Sequence, residues 1–271
     1  MKQLVIYHGK CIDGFTAAWC AWLKFGEQAE YYPGTFGEPA PDATGRDVLI
    51  VDFSYPRNVL LAMKREANTL RVLDHHKTAQ RDLEGLDFCL FDMERSGAGL
   101  TWDELTGIPR EYAPLVNYVE DRDLWRFKLL GSKSVNALVG ATEQTFSAYS
   151  ELNELIMSNP CQAVELGGAV LKGVDRYVKE MAGQARLGVL AGHTVPVVNA
   201  PYINTSELVG YLAEINDLAP FAVGWYQRSD GKYAYSLRSR GAFDVSEVAK
   251  LFGGGGHKNA AGFSVAQRVD L

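Results

Sequence analysis

The stretch Val-Leu-Asp-His-His-Lys (72–77) sets a carboxylate, Asp74, beside two imidazoles, His75 and His76, at the end of an apolar run. The chain has only five histidines, and imidazole is both the commonest metal ligand and the usual proton carrier near neutral pH. Neighbouring strand residues point to opposite faces, but where a strand ends the backbone turns and both side chains can reach one place. Two other apolar runs end in the same kinds of group. Residues 4–7 stop at His8, which opens HGKCIDG (8–14) with Cys11 and Asp13, and the run DVLIVDF (47–53) carries Asp52. A carboxylate closing an apolar run is costly to bury unless it is paired or bound to a cation. The plainer alternative is that Asp13, and Asp52 or Ser54, only cap the helices that follow.

Two further clusters could contribute. Glu120, Asp121 and Asp123 crowd into YVEDRDLWRF (118–127), either as a solvated helix face or as the source of one more ligand for a hard cation. FGGGGHKNAAGF (252–263) places Gly254, Gly255 and Gly256 before His257, and such a run either links domains or lets backbone amides approach an anion. Arg238, in YSLRSRG, suits a planar phosphate or carboxylate. Carboxylates and imidazoles in the first half suit Mn²⁺ or a similar divalent cation, with Mg²⁺ also allowed. Joined to anion-binding features in the second half, they point to metal-assisted hydrolysis of a phosphoester, with two metals activating a water and offsetting charge on the phosphoryl group.

The elements that must position these groups alternate. Strand-like runs at 4–7, 47–53, 70–76 and 87–92 are separated by helical patterns at 14–26, 56–67 and 96–107, the last opening on Ser96 and closing on Gly107. This order predicts an α/β fold with a mainly parallel sheet, whose ligands gather at the carboxyl ends of the strands. Residues 162–184 read as a long helix. After it come strands at 193–200, 221–227 and 233–239 and helices at 205–216 and 244–251, so the expected division is 1–150 for a catalytic domain, 151–184 for a helical connector and 185–271 for a smaller α/β domain.

The bulk composition narrows the classes. With 271 residues, 47% hydrophobic and 22% charged residues and a net charge of −6, the chain is globular and lacks the basic surface that long duplex nucleic acid requires. The first ten residues do not form a signal peptide, and no apolar stretch approaches a membrane span. Four scattered cysteines fit a reduced, cytoplasmic protein.

Taken in order, HGKCIDG, VDFS, LDHHKTA, EDRDLWRF, SLRSRG and GGGGHKNAAGF resemble the motifs of DHH-family phosphoesterases that carry the DHH-associated C-terminal domain, over nearly the whole chain. The resemblance implies an active site in the cleft between two domains. It makes Asp13, Asp52, His75 and Asp121 metal ligands, with Asp52 bridging two ions, His8 and Cys11 joining from the first motif, and Asp121 preferred over Asp123. It gives Asp74 a supporting role and His76 contact with the scissile phosphate, and it assigns Arg238, Gly254, Gly255, Gly256 and His257 to the substrate. Cys11 departs from the family pattern by standing where relatives carry the first Asp of Asp-x-Asp, a soft thiolate in place of a hard ligand. The expected activity is hydrolysis of dinucleotides or short linear oligonucleotides to mononucleotides. Polyphosphate or another small phosphoester is the alternative substrate, and nucleotide binding without turnover the alternative function. No membrane partner is expected, and a homodimer is allowed.

Overall fold

Leu4, Val5 and Ile6 are all fully buried, which a strand with alternating side chains permits only when both of its faces are covered. That strand is β1 (Gln3–His8), an interior strand of a five-stranded sheet in a computed structural model that describes residues 2–271. The chain continues through α1 (Ile12–Phe25), β2 (Ala29–Gly34), β3 (Asp47–Val51), α2 (Arg57–Glu66), β4 (Thr69–Asp74), α3 (Lys77–Asp82), β5 (Cys89–Phe91) and α4 (Gly97–Thr106). The strand order is β2-β1-β3-β4-β5 and every pairing is parallel, so the sheet expected to be mainly parallel is wholly so. Order reverses across β1 and β3, and in such sheets ligands collect outside the carboxyl ends of the strands at that point. Strand β2, AEYYPG, was not expected. It is an edge strand, where Pro33 removes no needed donor.

Val5, Leu49, Val51 and Leu73 face one core, filled by α1 and α4 and by three later helices, α5 (Pro114–Asp123), α6 (Ser132–Ala141) and α7 (Phe146–Ser158). Leu4, Ile6, Val48, Ile50 and Val72 face the other, covered by Leu60 and Met63 of α2 and by Leu83. Side chains that alternate along each strand thus serve two different cores, and the strand positions are held from both sides.

The chain divides into two compact units, Met1–Leu171 and Lys172–Leu271. The boundary expected near residue 150 therefore moves into α8 (Pro160–Ala182). The physical reason is packing, because Tyr149, Leu152 and Ile156 of α7 and Ala163 of α8 belong to the core of the first unit. The second unit holds β6 (Arg186–Leu190), β7 (His193–Asn199), α9 (Thr205–Ile215), β8 (Phe221–Gln227), β9 (Tyr233–Ser239), α10 (Val245–Leu251), β10 (Gly255–His257) and β11 (Ala260–Val265). Its sheet order is β10-β11-β9-β8-β7-β6, and only the β7–β8 pair is parallel. Among the described residues no helix is long and apolar enough to cross a membrane.

Candidate metal centre

Strands β1, β3 and β4 end side by side and deliver His8, Asp52 and Asp74-His75-His76 to one rim of the first sheet. Asp52 follows β3 with a backbone φ of 53°, the left-handed region that a non-glycine residue adopts at a cost of about 1–2 kcal/mol. This turn aims its carboxylate between two imidazoles. Oδ1 lies 3.1 Å from His75 Nε2 and Oδ2 lies 3.4 Å from His8 Nδ1. A methyl group on Gly97 would sit 2.3 Å from the Asp52 Cβ, so only glycine fits at the start of α4.

Helix α4 also fixes Asp13. Ser96 caps it by accepting the Gly99 amide through its hydroxyl, and the amides of Gly97 and Ala98 donate to Asp13 Oδ2 and Oδ1 at 2.6 and 3.1 Å. Asp13 is thus held at a helix N-terminus, where a carboxylate is favoured, and its Oδ2 stands 3.6 Å from His75 Nε2. Asp123, the last residue of α5, brings Oδ2 to 3.6 Å from the same nitrogen. Three carboxylates therefore surround one ring nitrogen of a histidine that is 2% exposed.

Two sets of ligand-type atoms result wholly within the first unit, Asp13–His75–Asp123 and His8–Asp52–His76, each with its atoms within 4.8 Å of one another. The electrostatics reflect the crowding. Burial, and then the charges of Asp52 and Asp123, push the Asp13 carboxyl well above its ordinary value, and burial with Asp52 also raises Asp123. Burial alone would raise Asp52 too, but its hydrogen bond to His75 and the nearby charges of His8 and His75 hold it well below the usual range. Burial disfavours a charged His75, yet Asp52 and Asp123 outweigh that and raise its pKa well above 6.5. His8 Nδ1, Asp52 Oδ2 and Asp123 Oδ2 are buried and have no hydrogen-bond partner. Buried polar atoms rarely go unsatisfied, and a set of carboxylate and imidazole donors left this way fits one or more divalent cations.

Asp74 does different work. Fully buried, it takes the Ser54 hydroxyl on Oδ2 at 2.5 Å, and on Oδ1 it accepts the amides of His75 and His76 at 2.7 and 3.2 Å. The same oxygen lies 2.6 Å from His76 Nδ1. It folds the turn after β4 and orients the His76 ring. The two adjacent histidines do reach one site, with ring centroids 5.1 Å apart.

Two expected ligands are not in either set. Asp121 sits two residues before Asp123 on α5 and accepts the amides of Lys128 and Leu129 at 2.9 and 3.1 Å. It ties down the loop before α6, and of the two it is Asp123, not the expected Asp121, that the structure brings to His75. Cys11 is the residue that precedes α1, with extended backbone. Burial first, then Asp52 and Asp13, drive its thiol pKa well above the ordinary value, which keeps it a thiol. Glu120, the third carboxylate of that cluster, is used elsewhere. It receives Arg95 Nε at 3.0 Å, Arg110 Nη2 at 3.3 Å and the Ser96 amide at 3.1 Å, while Asp103 binds both arginines at 2.6 and 2.8 Å. That network joins α4 to α5.

In the second unit Arg238 projects from β9 and donates to Ser206 Oγ and the Leu237 carbonyl, both at 2.8 Å. The glycine run is not an open loop. Gly254 donates to the Ala249 carbonyl at 2.9 Å, and Gly255 to His257 form β10, paired antiparallel with β11. The Gly254 amide is thus already used. A side chain at 254 would come within 2.1 Å of the Gly262 carbonyl, so close strand packing accounts for the glycine there.

Comparison with known proteins agrees with this architecture. Residues 195–270 match the DHHA1 domain. The chain is 28% identical to the uncharacterized protein R106 of Acanthamoeba polyphaga mimivirus, over 97% of this chain and 67% of that protein. Among solved structures, the DHH domain of a member of a family of ribosomal proteins superposes with a TM-score of 0.62 at 14% identity, over 96% of this chain and 82% of that one. RecJ from Thermus thermophilus, solved in complex with Mn²⁺, gives a TM-score of 0.53 at 18% identity over 97% of this chain, which spans 49% of RecJ. The chain thus matches a DHHA1 domain at its C-terminal end and shares the fold of DHH proteins along its length.

Proposed function

We propose that the chain is a metal-dependent phosphodiesterase that hydrolyses dinucleotides or short linear oligonucleotides to mononucleotides. The observation that carries this reading is Asp52, whose two oxygens face two separate sets of carboxylate and imidazole donors. Asp13, His75 and Asp123 on one side, and His8 with Asp52 on the other, would hold divalent cations, Mn²⁺ by preference. Such ions neutralise phosphate charge and make water acidic enough to attack near neutral pH.

The protein's own contribution is orientation and proton handling. The amides of Gly97 and Ala98 keep Asp13 facing the site. Asp74 accepts from Nδ1 of His76 and would stabilise a doubly protonated ring, whose Nε2 proton would pass to the leaving oxygen, an arrangement suited to general acid catalysis. Cys11 lies outside both sets of donors, so its presence in place of a carboxylate leaves each set whole, and this favours turnover over binding alone. Arg238 is the group in the second unit proposed to take a substrate phosphate. The acidic chain favours a short substrate over an extended duplex.

The test is turnover by the purified protein with Mn²⁺ of a 5′-phosphorylated dinucleotide, a longer oligonucleotide and polyphosphate. Dinucleotide is expected to be cleaved fastest. Preferred hydrolysis of polyphosphate, or no hydrolysis of any of the three, overturns the proposal.

A further inference from the structure

Phe36 is 54% exposed, although its ring lies against the candidate metal centre. Its centroid is 5.2 Å from that of His8 and 6.1 Å from that of His76, nearly perpendicular to both, and 4.7 Å from that of the buried Phe53. An aromatic ring that rests on two site histidines and still shows half its surface to solvent has an apolar face for something bound there to cover.

The local chain is built to hold it so. Glu38 donates its amide to the Thr35 carbonyl at 3.1 Å, closing a four-residue turn with Phe36 at its first corner. Gly37, at the second corner, has φ 84°, which a turn of this kind requires and glycine supplies without strain. Just before the turn, the Gly34 carbonyl accepts the Gly9 amide at 2.8 Å, tying this segment to the loop that follows His8. The ring therefore stands on a braced corner, with Phe53 beneath it.

We propose that Phe36 is a specificity-determining residue that stacks on a nucleobase of the substrate while His76 beside it engages the phosphate. The inference rests on the phosphodiesterase reading and deepens it, because a stacking ring favours a base-bearing ester over polyphosphate. Stacking on an aromatic is tolerant of sequence, since every base has a π-face, so all four bases are accepted.

The experiment measures kcat/KM for a 5′-phosphorylated dinucleotide and for the matching abasic sugar–phosphate diester, in wild type, Phe36→Ala and Phe36→Trp. Any general disturbance of the site lowers both substrates alike and cancels in their ratio. Phe36→Ala is expected to lower the ratio about tenfold or more, mainly through KM, and Phe36→Trp to restore it. An unchanged ratio in Phe36→Ala overturns the proposal. If wild type cleaves neither substrate, the phosphodiesterase reading fails by itself. Equilibrium binding of the intact dinucleotide to wild type and Phe36→Ala then decides the stacking role, with equal affinities overturning it.

Discussion

The first unit holds two dense groups of carboxylates that differ in what balances them. Around Glu120 and Asp103, two arginines and a backbone amide meet the negative charge, and the groups join two helices. Around His75, the carboxylates of Asp13, Asp52 and Asp123 converge with no arginine or lysine among the described residues in ion-pair contact; Asp13 accepts two amides of α4, but Asp52 Oδ2 and Asp123 Oδ2 stay buried without hydrogen-bond partners. Balanced charge of the first kind is structural. Unbalanced charge of the second kind is a place kept for a cation, and it lies where strand order reverses in the sheet.

Mutation should separate the two groups cleanly. Asp52→Asn should lower Mn²⁺-dependent hydrolysis about 10³-fold, and Mn²⁺ should raise the Tm of wild type but not of the variant. His76→Ala should lose about 10²–10⁴ in kcat with little change in Tm, since the ring assists the reaction and does not hold the fold. The choice between Asp121 and Asp123 is checked by a pair of variants two residues apart. Asp123→Asn should raise the Mn²⁺ concentration needed for half-maximal activity about 10- to 100-fold, whereas Asp121→Asn should lower Tm and leave that concentration near wild type. Equal metal responses in the two would dissolve the distinction. Glu120→Ala should cost about 2 kcal/mol in chemical denaturation, because Arg95, Arg110 and the Ser96 amide lose their shared acceptor, while the rise in Tm on adding Mn²⁺ persists.

A smaller effect concerns pH. In the metal-free protein the pKa values of Asp13, Asp123 and His75 are raised, so the stability linked to their protons is present at low pH and lost as pH rises through those values. Asp52, with its pKa lowered, acts in the opposite sense, but only below the ordinary carboxylate value of 3.8. The Tm measured with a chelator should therefore fall as pH rises above 6.5, the ordinary histidine value, and saturating Mn²⁺ should flatten that slope. A chelated protein with no such slope would argue against charge crowding.

The site's frame was legible because each ligand-bearing turn follows buried aliphatic residues, as at 48–51 and 72–73. That pattern alone located His8, Asp52 and Asp74 to His76 on one rim. The choice between Asp121 and Asp123 was not legible, since both lie in the last turn of α5 and their roles depend on packing against the following loop. Strand β2 escaped notice because Glu30, Tyr31, Tyr32 and Pro33 show no simple alternation at a sheet edge. The pairing of the glycine run in β10 was not legible, because composition cannot tell a loop from strands packed too closely for side chains. Phe36 was missed altogether. A lone aromatic between polar and glycine residues carries no periodic signal, although the Gly at position 37 was a cue to a turn.

The left-handed backbone at Asp52 sets fitness against durability at one codon. Glycine there would relax the strained φ and remove a buried carboxylate, so a library selected only for heat resistance should enrich Asp52→Gly, and its survivors should be robust and inert. Aspartate at this position carries the chemistry of the site at the expense of a relaxed backbone.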